Sequence, residues 1–275
     1  MTQLEERVPQ GDQAMSPTSG VRNGRWRYRV GSLALLAVLI GLWEILPRSG
    51  FVSEIILPPF SEVAVALWTL IQTDFFLEHF TVTLREILIG FVLGTIIGFI
   101  AGVLLAISRP VNRITYPFVV AFQAIPKIVF APLFIAWFGF GESSKIVMAL
   151  VISFFPVLIN TKVGLENVPE DSIRLMRSLR ATRIQVFWKV SLLHALPIIF
   201  AGVQTALTFA VIGALVGEFV GASSGMGYLL NLYNFQLRID RVFSVIVILA
   251  AVGAVGYFLL EWLGKKLIYW REDEA

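Results

Sequence analysis

Apolar residues run along this chain in stretches long enough to cross a bilayer, separated by shorter polar segments. A hydrocarbon core of about 30 Å takes about 20 helical residues. Runs of that order occupy approximately residues 30–47, 85–107, 114–138, 144–162, 195–221 and 242–264. The pattern predicts an all-α, polytopic membrane protein with six transmembrane helices, and an even number of crossings puts both termini on one side. Arg22, Arg25, Arg27 and Arg29, then Arg109 and Arg113, then Arg174, Arg177, Arg180, Arg183 and Lys189, then Lys265, Lys266 and Arg271 fall on that side. The other side receives only Arg48, Arg85, Lys145, Arg238 and Arg241. The positive-inside bias makes the first side the cytoplasm. The predicted organisation is a polar cytoplasmic tail over 1–29, expected to be disordered, a transmembrane unit over 30–268 with a cytoplasmic loop at 163–194, and a short cytoplasmic tail over 269–275. The first apolar run is long for a signal-peptide core and lacks a small-residue cleavage site, so it reads as a retained anchor. Between the first two runs, ILPPFSEVAVALWTLIQ reads as a Pro-Pro turn, Ser61 as a helix cap, and a short amphipathic helix on the outer surface.

Within the spans the residues are not uniform. Gly90, Gly94, Gly98 and Gly102 recur at a spacing of four in the second run and line one helix face, which lets another backbone approach closely. The partner is either the protein's own bundle or a second copy. Gly213, Gly217 and Gly221 repeat the device in the fifth run. The third run is interrupted by Pro117, Pro126 and Pro132 and carries Gln123 and Lys127 in its interior. Broken helices and polar groups at membrane depth tend to line cavities, which makes Gln123, Pro126 and Lys127 candidates for a solute path. Alternatively Lys127 snorkels, or pairs with Glu218 to hold the bundle. Glu218, followed by the turn GASSGMG near the outer surface, is a further candidate for the path or its gate.

Composition narrows the chemistry. Hydrophobic residues make up 57% of the chain and charged residues 15%, with a mean hydropathy of +0.79, outside the range of soluble domains. There is no cysteine, and the two histidines, His79 and His194, lie far apart, so neither disulfides nor a metal site is predicted. The net charge of +3 is accounted for by basic residues beside the apolar runs, which indicate lipid headgroups and topology and no nucleic acid. Residues 221–225 satisfy G-x-S-x-G, but a nucleophile elbow needs a strand before the serine and a histidine after it, and neither is present here. No P-loop pattern occurs, so ATP-driven work requires another polypeptide. The chain reads as a non-enzyme with no cofactor.

The loop at 163–194 holds the most informative polar stretch. Pro169, Glu170 and Asp171 make a good helix start, and a short helix is expected to about Leu179. Thr182 and Gln185 form a capping box that opens a second helix towards the membrane. Ile173, Met176 and Leu179 are expected on one face of the first helix with Arg174 and Arg177 flanking it, a pattern that suits an acidic-rimmed groove on a partner or an anionic lipid surface.

In IPKIVFAPLFIAWFGFGESSKI, ISFFPVLINTKVGL, ATRIQVFWKVSLLHALPIIFAGVQTAL and VGEFVGASSGMGYLL the chain resembles the permease subunits of binding-protein-dependent ABC importers. The resemblance covers about residues 57–268 and is nearest to the branch for nitrate, sulfonate, taurine and thiamine precursors. It implies a type I importer permease in a bacterial inner membrane, working as a dimer with ABC ATPase subunits and an extracytoplasmic substrate-binding protein. It also implies that the loop's first helix is the coupling helix that fits a cleft in the ATPase, with Glu170, Ile173, Arg174, Met176, Arg177, Leu179, Arg180 and Thr182 as contact candidates. The family's Glu-Ala-Ala signature falls here on Arg174, Leu175 and Met176, its glycine on Arg180 and its later proline on Leu193, while Val190, Leu192 and Pro197 fit. A non-glycine at the position of Arg180 predicts local strain or a different helix end. The alternative, an ATP-independent secondary transporter or channel, predicts inverted repeats and a buried acid relay.

Overall fold

The computed structural model describes residues 21–270, with side chains from Val30 onward, and every regular element among them is helical. The helices are α1 (Val21–Arg48), α2 (Phe60–Ile71), α3 (Asp74–Ile107), α4 (Arg109–Ala124), α5 (Ala131–Phe138), α6 (Glu142–Glu166), α7 (Glu170–Ser178), α8 (Arg183–Val186), α9 (Leu192–Gly221), α10 (Met226–Phe235) and α11 (Ile239–Leu267). One π turn, Phe187–Ser191, joins α8 to α9, so Arg183–Gly221 is continuous and of membrane length. The stretch assigned to an N-terminal tail is helical from Val21; residues 1–20 of that tail and 271–275 of the C-terminal one lie outside the described residues.

Among the described residues five helices are long and apolar enough to cross a membrane, and the remaining predicted span, 114–138, is two helices meeting at 89°. Proline chemistry explains the break. Ile125 is extended (φ −72°, ψ 129°), as the ring of a following proline favours, and Lys127–Phe130 continues as a single 3-10 turn. Pro132 sits at the start of α5, where a missing N–H costs nothing. Pro117 is carried inside α4.

The core is α6 held between α3 and α9. The four predicted packing glycines all face α6: a Cβ on Gly90 would lie 2.5 Å from the Cβ of Ala149, one on Gly98 2.6 Å from the carbonyl of Phe154, and one on Gly102 2.6 Å from the Cβ of Thr161. Gly94 meets Ser153 and the carbonyl of Leu150 in the same way. From the other side Gly213 packs on the backbone of Ala149 and Gly202 on Asn160. These glycine faces are therefore intramolecular, and the close approach supplies the van der Waals packing that drives helix association where no hydrophobic effect acts between spans.

At the opposite end from the loop, Val63, Ala66 and Leu70 of α2 are buried, and Leu70 packs with Met226, Leu229, Leu230 and Tyr233 of α10 and Val245, Ile248 and Leu249 of α11. The helix predicted to lie on the outer surface is thus partly embedded. Its N-cap is Pro59, not Ser61. Ser61 donates from both its backbone N–H and its hydroxyl to the Glu44 carboxylate, each at 2.9 Å, so α1 supplies the anion that a helix N-terminus favours. Trp43 adds a bond to the Pro58 carbonyl at 3.0 Å.

Candidate functional site

The loop forms a helix, a turn and a second helix, as the capping residues dictate. Glu170 pairs with Arg174 one turn later at 2.6 Å. The helix then closes in a Schellman arrangement: the Ala181 N–H donates to the Met176 carbonyl and the Arg180 N–H to the Arg177 carbonyl, both at 3.0 Å. Arg180 has φ +58°, so the position where the resembled family has glycine keeps its left-handed conformation with an arginine in it. Thr182 accepts from the Gln185 N–H at 3.3 Å and the Gln185 side chain accepts from the Thr182 N–H at 2.8 Å, completing the capping box.

The face expected to be formed by Ile173, Met176 and Leu179 is divided. Ile173 and Met176, three residues apart, are half-buried against the protein's own body. Leu175 and Leu179 are 62% and 69% exposed and share the outward side at a spacing of four. The division follows from the helix period: each step of three residues falls short of a full turn, so Leu179, two such steps from Ile173, comes round to the side of Leu175, four residues before it.

Gln123 and Lys127 line one cavity of about 390 Å³ with Phe155 and Asn160 of α6 and Thr205 and Phe209 of α9. The Lys127 ammonium donates to the Gln123 carbonyl at 3.2 Å, an acceptor at the end of α4, and lies 4.9 Å from the centre of the Phe155 ring. Pro126 supplies the bend that turns this lysine towards α6 without lining the cavity itself. Asn160 and Thr205 were absent from the sequence-predicted set. The signal was available in both, since each is a polar residue within a predicted apolar run.

Glu218 does not line that cavity and is not paired with Lys127. It belongs to a separate buried polar cluster at the end of the core opposite the loop, with His79, Thr83, Glu86 and Lys145. The Thr83 hydroxyl donates to Glu218 at 2.5 Å and accepts from the Met226 N–H at 2.7 Å. His79 Nδ1 accepts from the Gly225 N–H at 2.9 Å, and the second Glu218 oxygen accepts from the Gly227 N–H. Glu86 adjoins Glu218. The Lys145 ammonium donates to the carbonyls of Gly141 and Gly221 at 3.1 and 2.8 Å and also to that of Phe140. The turn after Glu218 is therefore fastened to α3 and α9. Gly225, at φ +110°, lies so close to the Glu218 carboxylate that a side chain there would collide with it. The imidazole brought near the G-x-S-x-G turn is committed to backbone, and Ser223 is exposed away from the cluster.

Comparison with known proteins agrees with this architecture. Residues 94–269 match the family described as binding-protein-dependent transport system inner membrane component. A probable ABC transporter permease protein of Haemophilus influenzae is 35% identical, covering 86% of this chain and 96% of the relative. The formylaminopyrimidine transport permease protein ThiX of Halalkalibacterium halodurans is 33% identical over 86% of this chain and 94% of its own. The putative aliphatic sulfonates transport permease protein SsuC of Bacillus subtilis is 33% identical over 91% of each. In fold, the chain resembles one from an inward-facing structure of the MetNI methionine ABC transporter, with a TM-score of 0.58 and 24% identity, covering 68% of this chain and 92% of that one. A glycine-packed helical core, a broken span beside a polar cavity and a capped two-helix loop thus accompany sequence identity along nearly the whole length of these relatives, and the chain belongs to the inner membrane components of binding-protein-dependent transport systems, the permease subunits of ABC importers.

Proposed function

We propose that this permease passes a small solute bearing an anionic group along the cavity lined by Gln123, Lys127, Asn160 and Thr205, as one half of a homodimer with both termini in the cytoplasm of a bacterial inner membrane. The observation that carries the reading is the Lys127 ammonium held in that cavity without a carboxylate partner among the described residues. Names of relatives agree in part: SsuC of Bacillus subtilis is named for aliphatic sulfonates and TauC of Escherichia coli for taurine. An ammonium over an aromatic wall with amide and hydroxyl neighbours can meet a sulfonate with charge-assisted hydrogen bonds. Coupling to the ATPase runs through α7, chiefly its outward residues Leu175 and Leu179, with Glu170, Arg174, Arg177, Arg180 and Thr182 setting the helix and its ends. Ile173 and Met176 anchor α7 to the membrane unit. A partner shifts the equilibrium between access states only by binding them unequally, so the ATPase must grip α7 differently in its nucleotide states.

Binding-protein-dependent uptake of a radiolabelled alkanesulfonate by cells or proteoliposomes tests the solute reading. Lys127→Gln should lower uptake about tenfold at subsaturating solute, the loss of one charged hydrogen-bond donor, with the ATPase still associated. Unchanged uptake in Lys127→Gln would remove the lysine from the path.

A further inference from the structure

Between the cytoplasmic loop and the ends of two core helices lies a groove of about 510 Å³, separate from the cavity of the solute path and on the inward side of α7. Ala106 and Ile107 at the end of α3 and Leu165 near the end of α6 form its floor. Ile184, Phe187 and Trp188, on the helix that climbs from the loop into α9, form its wall. The lining is strongly apolar although it lies open: Ile107 is 65% exposed, Ile184 72% and Trp188 60%. Its depth is set by the span ends, which is where tryptophan and long aliphatic side chains meet headgroups and the first acyl carbons. Arg177 and Arg183 line the same groove, and neither joins an ion pair among the described residues. Arg174, one turn before the end of the same helix, is by contrast engaged with Glu170 and Asp171.

We propose that this groove is a binding site for an anionic phospholipid, with acyl chains along Ile107, Ile184 and Trp188 and the phosphate between Arg177 and Arg183. The charge pattern favours a lipid over the ATPase subunit as occupant, because two unpaired arginines stand over an apolar floor at the membrane boundary, while the exposed leucines of α7 face away from it. The site rests on the membrane placement of α3 and α6 and on α7 as the coupling helix. Its consequence is mechanical: a bound lipid fills the space between α7 and the spans, so that a push on α7 reaches α3 and α6 instead of collapsing the groove.

The test uses the permease–ATPase complex, exchanged from phosphatidylglycerol-containing membranes into phosphatidylcholine nanodiscs, with native mass spectrometry counting retained lipid and subunits together. The wild type should retain phosphatidylglycerol in preference to phosphatidylcholine. Arg177→Gln with Arg183→Gln should weaken retention about 30-fold, as expected for two juxtamembrane cations, and the double lysine variant should keep it. Ala106→Trp, which fills the groove without altering charge, should also release the lipid and controls for a folding defect in the arginine variant. Equal retention of both lipids by the wild type, or undiminished phosphatidylglycerol in the double glutamine variant, overturns the site. Loss of the ATPase from that variant with lipid unchanged assigns the groove to the ATPase and equally overturns it. If the wild-type permease carries no ATPase yet holds the lipid, the coupling reading fails and the lipid site stands.

Discussion

Single residues decide the local energetics. Arg180 holds a left-handed conformation (φ +58°) that costs an L-residue on the order of 1 kcal/mol. Arg180→Gly should therefore slow hydrogen exchange at the Ala181 N–H about fivefold, and exchange that is unchanged or faster would show the conformation to be unstrained. The sequence alone posed this as strain or a different helix end, and only the backbone distinguishes them. Thr83 carries a different load, bridging the Met226 N–H and the Glu218 carboxylate inside the protein. Thr83→Val leaves that N–H buried without an acceptor, at a cost of about 1–3 kcal/mol. A lowered Tm in detergent is expected, with Thr83→Ser close to wild type; an unchanged Tm for the valine variant would mean that the turn is held by other bonds. His79, Thr83 and Glu86 lie on the same helical face as Gly90, Gly94 and Gly98. The pattern was present in the sequence, but starting the span at residue 85 cut His79 and Thr83 away from the glycine half.

At the scale of the element, capping chemistry is local and was readable. Thr182 and Gln185 make the reciprocal bonds their spacing predicts, because both partners lie within one turn and no distant contact competes. Which side of α7 faces outward was not readable. Steps of three residues carry Leu179 round from the side of Ile173 to that of Leu175, and the inward side is chosen by the groove beneath Ile173. The expected consequence is a split between neighbouring leucines and Met176. Leu175→Asp with Leu179→Asp should weaken ATPase association about 30-fold or more, the loss of two apolar anchors, seen as loss of the ATPase in co-purification. Met176→Ala should leave that association intact and lower thermal stability instead. ATPase retained by the double aspartate variant would place the contact elsewhere.

For the whole molecule, the proposed orientation has a direct test, since the chain contains no cysteine. Single cysteines at Gln236, in the turn after α10, and at Ser178, at the end of α7, should react on opposite sides of the membrane with an impermeant thiol reagent in intact cells, Gln236 first. Equal labelling would reject the topology. The sequence by itself determined the helical class, the number and approximate place of the spans, the loop with its caps and the glycine faces. Each of these follows from one segment meeting a uniform apolar solvent, in which backbone groups must be satisfied within the segment and only helix period, length and proline position vary. The tertiary structure decided what brings distant segments together. It set Gly90, Gly94, Gly98 and Gly102 and, from the other side, Gly213 and Gly217 against α6, turned Lys127 towards Phe155 through a break of 89°, and set Glu218 apart from the cavity of Lys127, in a cluster with Thr83, far away in the sequence. Such pairings depend on which neighbour fills a given face and satisfies a given buried polar atom. That is a property of three packed helices at once and is written in none of them singly.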